Sequence, residues 1–138
     1  MRDPKLSAFA VMPFSKDFED TYILGIKAVC DELRITCKRG DEANFSGKIY
    51  DKIIRSISEA DIIIVDLTGT NANVYYETGI AHTLNKFTIH LCRSIDEVSF
   101  DLRGFQHIEY FGSIVSLRNE LKKQLEWAST YMLTSKAS

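Results

Sequence analysis

The chain has 138 residues, of which 45% are hydrophobic and 26% charged, and its 17 basic and 19 acidic side chains leave a formal net charge of −2. This length and composition are typical of one globular domain spanning residues 1–138, and they exclude a disordered, collagen-like or low-complexity chain. The small net charge also argues against a nucleic acid polymer or a membrane as partner, because the chain lacks the strong basic field that would attract either of them.

Two features favour a cytoplasmic location. Residues 1–10 carry three charged side chains and lack the apolar stretch of a signal peptide or membrane helix. The cysteines are odd in number and contain no C-x-x-C pair, which is typical of buried thiols in a reducing compartment; they are Cys30, Cys37 and Cys92.

The first half of the chain alternates between strand and helix patterns. Ala8–Met12 is a short apolar run stopped by Pro13, as in a strand buried on both faces. Apolar residues at helical spacing predict a helix over Asp17–Leu33, and Ile35–Lys38 follows as a second strand. A polar loop then leads into a second helix, which begins near Ile49 and ends before residue 60.

The second half repeats the alternation. Asp61–Asp66 contains four consecutive β-branched apolar residues and is the strongest strand signal. A turn over residues 68–73 precedes a helix predicted at Val74–Leu84, with Asn73 as its N-cap. The remaining predictions are strands at Phe87–Cys92 and Gln106–Tyr110, a closing helix over residues 113–133 and a frayed tail at 134–138.

This alternation predicts an α/β fold, a flavodoxin-like doubly wound sandwich with a five-stranded parallel sheet in the order 2-1-3-4-5. Ligands of such sheets bind beyond the carboxyl ends of the strands, at the switch point between strands one and three. The candidate substrate-binding residues at this edge are Phe14, Ser15, Asp41, Asp66, Thr68, Gly69, Asn71, Asn73 and Tyr76.

Glu77 is the candidate catalytic residue. It follows strand three in the first turn or so of the third helix, where free N–H groups and the helix dipole favour an ionised carboxylate. Such a carboxylate can stabilise or trap the cation that forms when an N-glycosidic bond breaks. Acidic residues in this position also stabilise a helix without any further role.

The other candidates have structural alternatives. Phe14 and Ser15 could stack on a base and bind a ribose or phosphate, although Phe14 could equally fill the core. Asp66 could bind a ligand or accept hydrogen bonds from its own turn. One of Tyr75 and Tyr76 is expected to face the pocket. Asp41 is the weakest candidate, and we expect no metal site.

Several segments resemble the nucleoside 2-deoxyribosyltransferase-like proteins, which are kin to TIR (Toll/interleukin-1 receptor) domains. They are A-F-A-V-M-P-F-S, R-G-D-E, A-D-I-I-I-V-D-L, F-D-L-R-G and the long D-L-T-G-T-N-A-N-V-Y-Y-E-T-G-I-A-H-T-L-N-K segment that contains Glu77. The resemblance implies that Glu77 is the nucleophile or the cation-stabilising carboxylate. It also implies a nucleoside, nucleotide or NAD-like ligand, with NAD as a substrate and no bound cofactor, and a homo-oligomeric protein.

One departure from that family bears on the reaction. The transferases usually carry a further carboxylate in the loop before the nucleophile, where this chain has Asn71 and Asn73. Amides cannot act as general acids near neutral pH, so a leaving group that departs without protonation, such as nicotinamide, fits better. The alternatives are a nucleoside 2-deoxyribosyltransferase and a non-catalytic nucleotide-sensing or assembly module.

Overall fold

The computed structural model of the chain describes residues 5–40 and 49–137. Its sheet has five parallel strands in the order β2-β1-β3-β4-β5. The strands are β1 Ser7–Val11, β2 Thr36–Arg39, β3 Ile62–Asp66, β4 Phe87–Cys92 and β5 His107–Glu109. The predicted α/β flavodoxin-like fold and its strand order are confirmed.

Helices cover both faces of the sheet. A π-helical segment, Thr21–Lys27, continues directly into the α-helix Ala28–Glu32, α1, where a single regular helix was expected. Gly25 of that segment lies so close to the last helix, Ile114–Ala137, that an added Cβ would be 2.8 Å from Cδ2 of Leu117. The helices are α1 Ala28–Glu32, α2 Ile49–Glu59, α3 Ala72–Thr83 and α4 Ile114–Ala137.

The side chains of β3 alternate between two apolar clusters. Ile62 and Ile64 pack with the π-helical segment, α1 and α4, which we call the α4 face of the sheet. Ile63 and Val65 pack with α2 and α3, which we call the α3 face. Since both faces are buried, an uninterrupted β-branched run is the expected sequence of this central strand.

In the second half of the chain, two helix ends differ from prediction by more than one residue. Residues 134–137 are helical rather than frayed, because Met132 and Leu133 pack against the α4-face cluster and anchor the last turns. Helix α3 begins at Ala72, earlier than predicted.

Within residues 5–40 and 49–137, none of the helices has the length and apolar character needed to cross a membrane.

Candidate functional site

A cavity of about 480 Å³ opens at the carboxyl edge of the sheet, on the α3 face. The loop after β1 forms one wall, and α2 and α3 form the others. Its lining residues are Met12, Pro13, Phe14, Ile53, Ile54, Asn71, Asn73, Val74, Tyr76, Glu77 and Ile80. The predicted position of the site beside the switch point therefore agrees with the position of this cavity.

The start of α3 is fixed by Asn71. Its backbone is extended, and its side-chain oxygen accepts the N–H groups of Asn73 at 3.0 Å and Val74 at 3.1 Å. Asn73 was expected to cap this helix, but it already lies inside the first turn. Asn71 is the N-cap because the preceding turn, with Gly69 at φ 78° and Thr70 at φ 48°, delivers it in the extended conformation that a cap requires.

Glu77 is the sixth residue of α3 and lies in the second helical turn, beyond the free N–H groups that were expected to favour its ionised form. Burial raises the pKa of the Glu77 carboxyl to about 7. Desolvation of the charged form is the cause of this rise. Among the described residues that line the cavity, Glu77 is the only one with a side chain that is charged at neutral pH when ionised, since the others are apolar, amide or phenol groups.

Two aromatic side chains that line the cavity are more than half exposed. Phe14 is 58% exposed and Tyr76 53% exposed. The Phe14 ring lies over Gly40, where an added Cβ would be 3.3 Å from Cζ of Phe14. Tyr75 points away from the cavity, and its hydroxyl accepts the N–H of Ser99 at 2.8 Å. Tyr76 is therefore the tyrosine of this site.

A buried arginine lies behind Phe14. Arg39 at the end of β2 is 4% exposed and pairs with Glu19 at 2.9 Å. Its guanidinium carbon lies 4.4 Å from the centre of the Tyr22 ring and 6.0 Å from that of Phe14. These contacts join the end of β2 to the π-helical segment and to the cavity wall.

Asp66 and Thr68 do not line the cavity, contrary to expectation. Asp66 is fully buried, and its carboxylate accepts hydrogen bonds from Thr68 and from Tyr110, which packs on the α4 face. Side chains alternate along a strand, so Asp66 follows Ile62 and Ile64 to that face. The expected single cleft containing both Asp66 and Glu77 is therefore wrong.

The remaining candidates lie elsewhere. Ser15 is exposed and outside the lining, and its carbonyl accepts the N–H of Phe18 at 3.0 Å. Gly69 serves the turn before α3. Asp41 lies outside the described residues.

Sequence reasoning missed the apolar wall formed by Ile53 and Ile54, although two adjacent isoleucines on one helix indicate that only one of them can face the sheet.

His82, on α3 after Glu77, belongs to a separate aromatic cluster. Its Nε2 lies 2.9 Å from Nε2 of His90 on β4, and both rings stack on Phe105. These contacts give His82 a packing role.

No protein-family model matches the sequence, and no curated protein matches it significantly. Several solved structures do match the chain. A 2-deoxyribosyltransferase from Bacillus psychrosaccharolyticus is 15% identical, with a TM-score of 0.51 over 72% of this chain and 92% of that chain. The TIR domains of the activated Roq1 resistosome, which recognises the effector XopQ, are 10% identical, with a TM-score of 0.62 over 87% of this chain and 99% of theirs.

The RPS4 and RRS1 TIR domain heterodimer gives the same result, at 10% identity and a TM-score of 0.55 over 91% of this chain and 98% of the matched chain. At these identities the matches show a shared fold. The chain thus has the architecture of both groups of proteins that its sequence segments resemble.

Proposed function

We propose that this protein cleaves the bond between a base and a ribose in an NAD-like dinucleotide, a nucleotide or a nucleoside, with Glu77 as the acting carboxylate. The observation that carries the proposal is a partly buried carboxylate in a cavity that is also lined by two half-exposed aromatic side chains, Phe14 and Tyr76, and by no other charged side chain among the described residues. Aromatic faces suit a planar base, and the carboxylate suits a cation that forms beside it.

The reaction breaks the bond between C1′ and the base nitrogen. The electron pair leaves with the base, and positive charge develops on the ribose, where ionised Glu77 stabilises it or bonds to C1′. Water then supplies the oxygen that bonds to C1′ and releases one proton. Nicotinamide leaves as a neutral molecule, so no general acid is needed for that substrate.

The two amide side chains at the cavity favour a reaction in which the base leaves without a general acid. Asn71 and Asn73 both line it, and neither can give or take a proton near neutral pH. Asn73 is available to a sugar hydroxyl, whereas the Asn71 oxygen is already occupied by the helix cap. A cavity of about 480 Å³ suits the base and ribose of a substrate, and the rest of a dinucleotide would extend beyond it.

The test is release of free base. Purified protein is incubated with NAD, deoxynucleosides and nucleoside monophosphates, each with and without an added acceptor base, and the products are separated by chromatography. We expect base release without an acceptor, and none from Glu77→Gln. Strict dependence on an acceptor would identify a transferase, and intact substrates at high protein concentration would identify a binding module.

Light scattering belongs in the same experiment. We propose that the protein forms a homo-oligomer, and a site completed by a neighbouring subunit would be active only above the concentration at which the subunits associate. Specific activity that rises with the assembled fraction would support this arrangement, whereas activity independent of assembly would count against it.

A further inference from the structure

A buried carboxylate outside the cavity joins the ends of three strands. Oδ1 of Asp66, the last residue of β3, accepts the N–H of Thr68 at 3.0 Å and its hydroxyl at 2.6 Å. Oδ2 accepts the hydroxyl of Tyr110, just after β5. The Thr68 hydroxyl oxygen in turn accepts the N–H of Arg93, just after β4, at 3.0 Å. Every described partner of Asp66 is a donor, which suits an acceptor-only carboxylate.

This arrangement is costly to build. Burial raises the pKa of Asp66, and the bonds from Thr68 and Tyr110 act against that rise. An apolar side chain would fill the same space without the desolvation cost, but it could not hold the turn that follows.

That turn needs to be held. Gly69 and Thr70 both have left-handed backbones, at φ 78° and φ 48°, and this conformation is unfavourable for a β-branched residue such as Thr70. The next residue is Asn71, the cap of α3, and Glu77 follows on the same helix. The position of Thr68 therefore determines where α3 begins.

We infer that Asp66 is a positioning residue, which fixes the turn through Thr68, sets the start of α3 and thereby holds Glu77 in the cavity on the opposite face of the sheet. This inference rests on the function proposed for Glu77. The two oxygens of Asp66 have separate partners: Oδ1 holds the turn, and Oδ2 holds only Tyr110 at the end of β5.

The separation supplies a matched pair of variants. Thr68→Val and Tyr110→Phe each remove one hydroxyl donor from the same carboxylate and keep the shape of the side chain. Only Thr68→Val loosens the turn, and it also removes the acceptor of the Arg93 N–H, which Asp66→Asn leaves in place. Neither changes a charge at neutral pH. Asp66→Asn serves as a third variant, because it removes the charge at nearly constant size.

The primary measurement is the pKa of the Glu77 carboxyl, followed by carbon-13 NMR in each folded variant. In Thr68→Val we expect that pKa to fall from about 7 toward the ordinary value, because a displaced α3 exposes the carboxyl to water. Tyr110→Phe should leave it unchanged. The kcat for base release should fall about tenfold or more in Thr68→Val, with a smaller change in KM, because Glu77 acts in the transition state.

Two results would overturn the inference. Equal effects of Thr68→Val and Tyr110→Phe would make Asp66 only an anchor of the core. A pKa shift in Asp66→Asn without one in Thr68→Val would mean that charge, and not position, couples the two sites. If Thr68→Val does not fold, Thr68→Ala makes the same comparison. The titration requires no turnover, so it decides the inference even if the wild-type protein cleaves none of the substrates.

Discussion

The carboxylates of Asp66 and Glu77 lie on opposite faces of the sheet, although a single turn and one helix connect them. Asp66 bonds to Tyr110 on the α4 face, and Glu77 lines the cavity on the α3 face. The two groups therefore cannot act as an acid and base pair on one substrate. Among the described residues, Glu77 is therefore the one carboxylate that lines this cavity.

Replacing Glu77 with glutamine should abolish base release while leaving the fold and most substrate affinity intact. Glutamine keeps the size and one oxygen of the side chain but loses the charge that stabilises the transition state. We expect kcat to fall by about 10²-fold to 10³-fold, and further if Glu77 is a nucleophile. Glu59→Gln, an exposed change on α2, is the control and should keep full activity. If Glu77→Gln keeps the turnover of the wild type, Glu77 is only a charged residue of the helix and has no catalytic role.

The activity should follow the ionisation of Glu77. Its pKa of about 7 means that the carboxylate form grows as the pH rises through neutrality. For a substrate whose base leaves without protonation, kcat/KM should therefore increase up to about pH 7 and then level off. A rate that falls over the same range would show that the protonated carboxyl acts as a general acid.

The same pKa predicts how stability changes with pH. Burial raises the pKa of Glu77 above its ordinary value of 4.5, so the folded protein binds more protons than the unfolded chain between the two values. Stability from this group is complete below about pH 4.5 and is lost as the pH rises to about 7. Glu77→Gln has no such group. Thermal unfolding of both proteins from pH 4 to pH 8 should show the wild type losing stability relative to the variant.

Sequence patterns were sufficient for the strand order, because the apolar run at Ile62–Val65 and the alternating helices define a parallel sheet. They could not predict on which face of the sheet a given side chain or helix lies. Asp66 is the last residue of a strand buried on both sides, and periodicity alone does not tell which layer of helices covers which side. The pKa of Glu77 was likewise out of reach, because it depends on enclosure by α2 and by the loop after β1, which are distant in sequence.

The two asparagines before Glu77 should differ in their effect on stability. Asn71→Ala removes the side chain that caps α3 and should cost about 1 kcal/mol of unfolding free energy. Asn73→Ala is the matched control, because it removes the same amide from the same cavity wall without removing the cap, and its effect should stay within about 0.5 kcal/mol. Urea denaturation of both variants measures the difference. If Asn73→Ala loses more unfolding free energy than Asn71→Ala, then Asn73 caps the helix, as the sequence predicted.

Gly40 should control the position of Phe14, and through it the fit of the substrate. An alanine Cβ at Gly40 would lie 3.3 Å from Cζ of Phe14 and 3.7 Å from Cζ of Phe9. Phe9 is buried whereas Phe14 is largely exposed, so the Phe14 ring is the neighbour that can move, and its movement narrows the cavity. We expect Gly40→Ala to raise KM severalfold with a smaller change in kcat, because the lost contact is made equally in the ground and transition states.

Gly79→Ala is the control for that substitution. Gly79 lies on α3 two residues after Glu77, and an added Cβ there would meet nothing within 4 Å. Alanine favours a helix over glycine, so this variant should gain up to about 1 kcal/mol of stability and keep its KM. Steady-state kinetics on a substrate that the wild type cleaves, together with urea denaturation, compare the two variants. If Gly40→Ala keeps the wild-type KM while remaining folded, Phe14 does not contact the substrate, and the base must bind against Tyr76 alone.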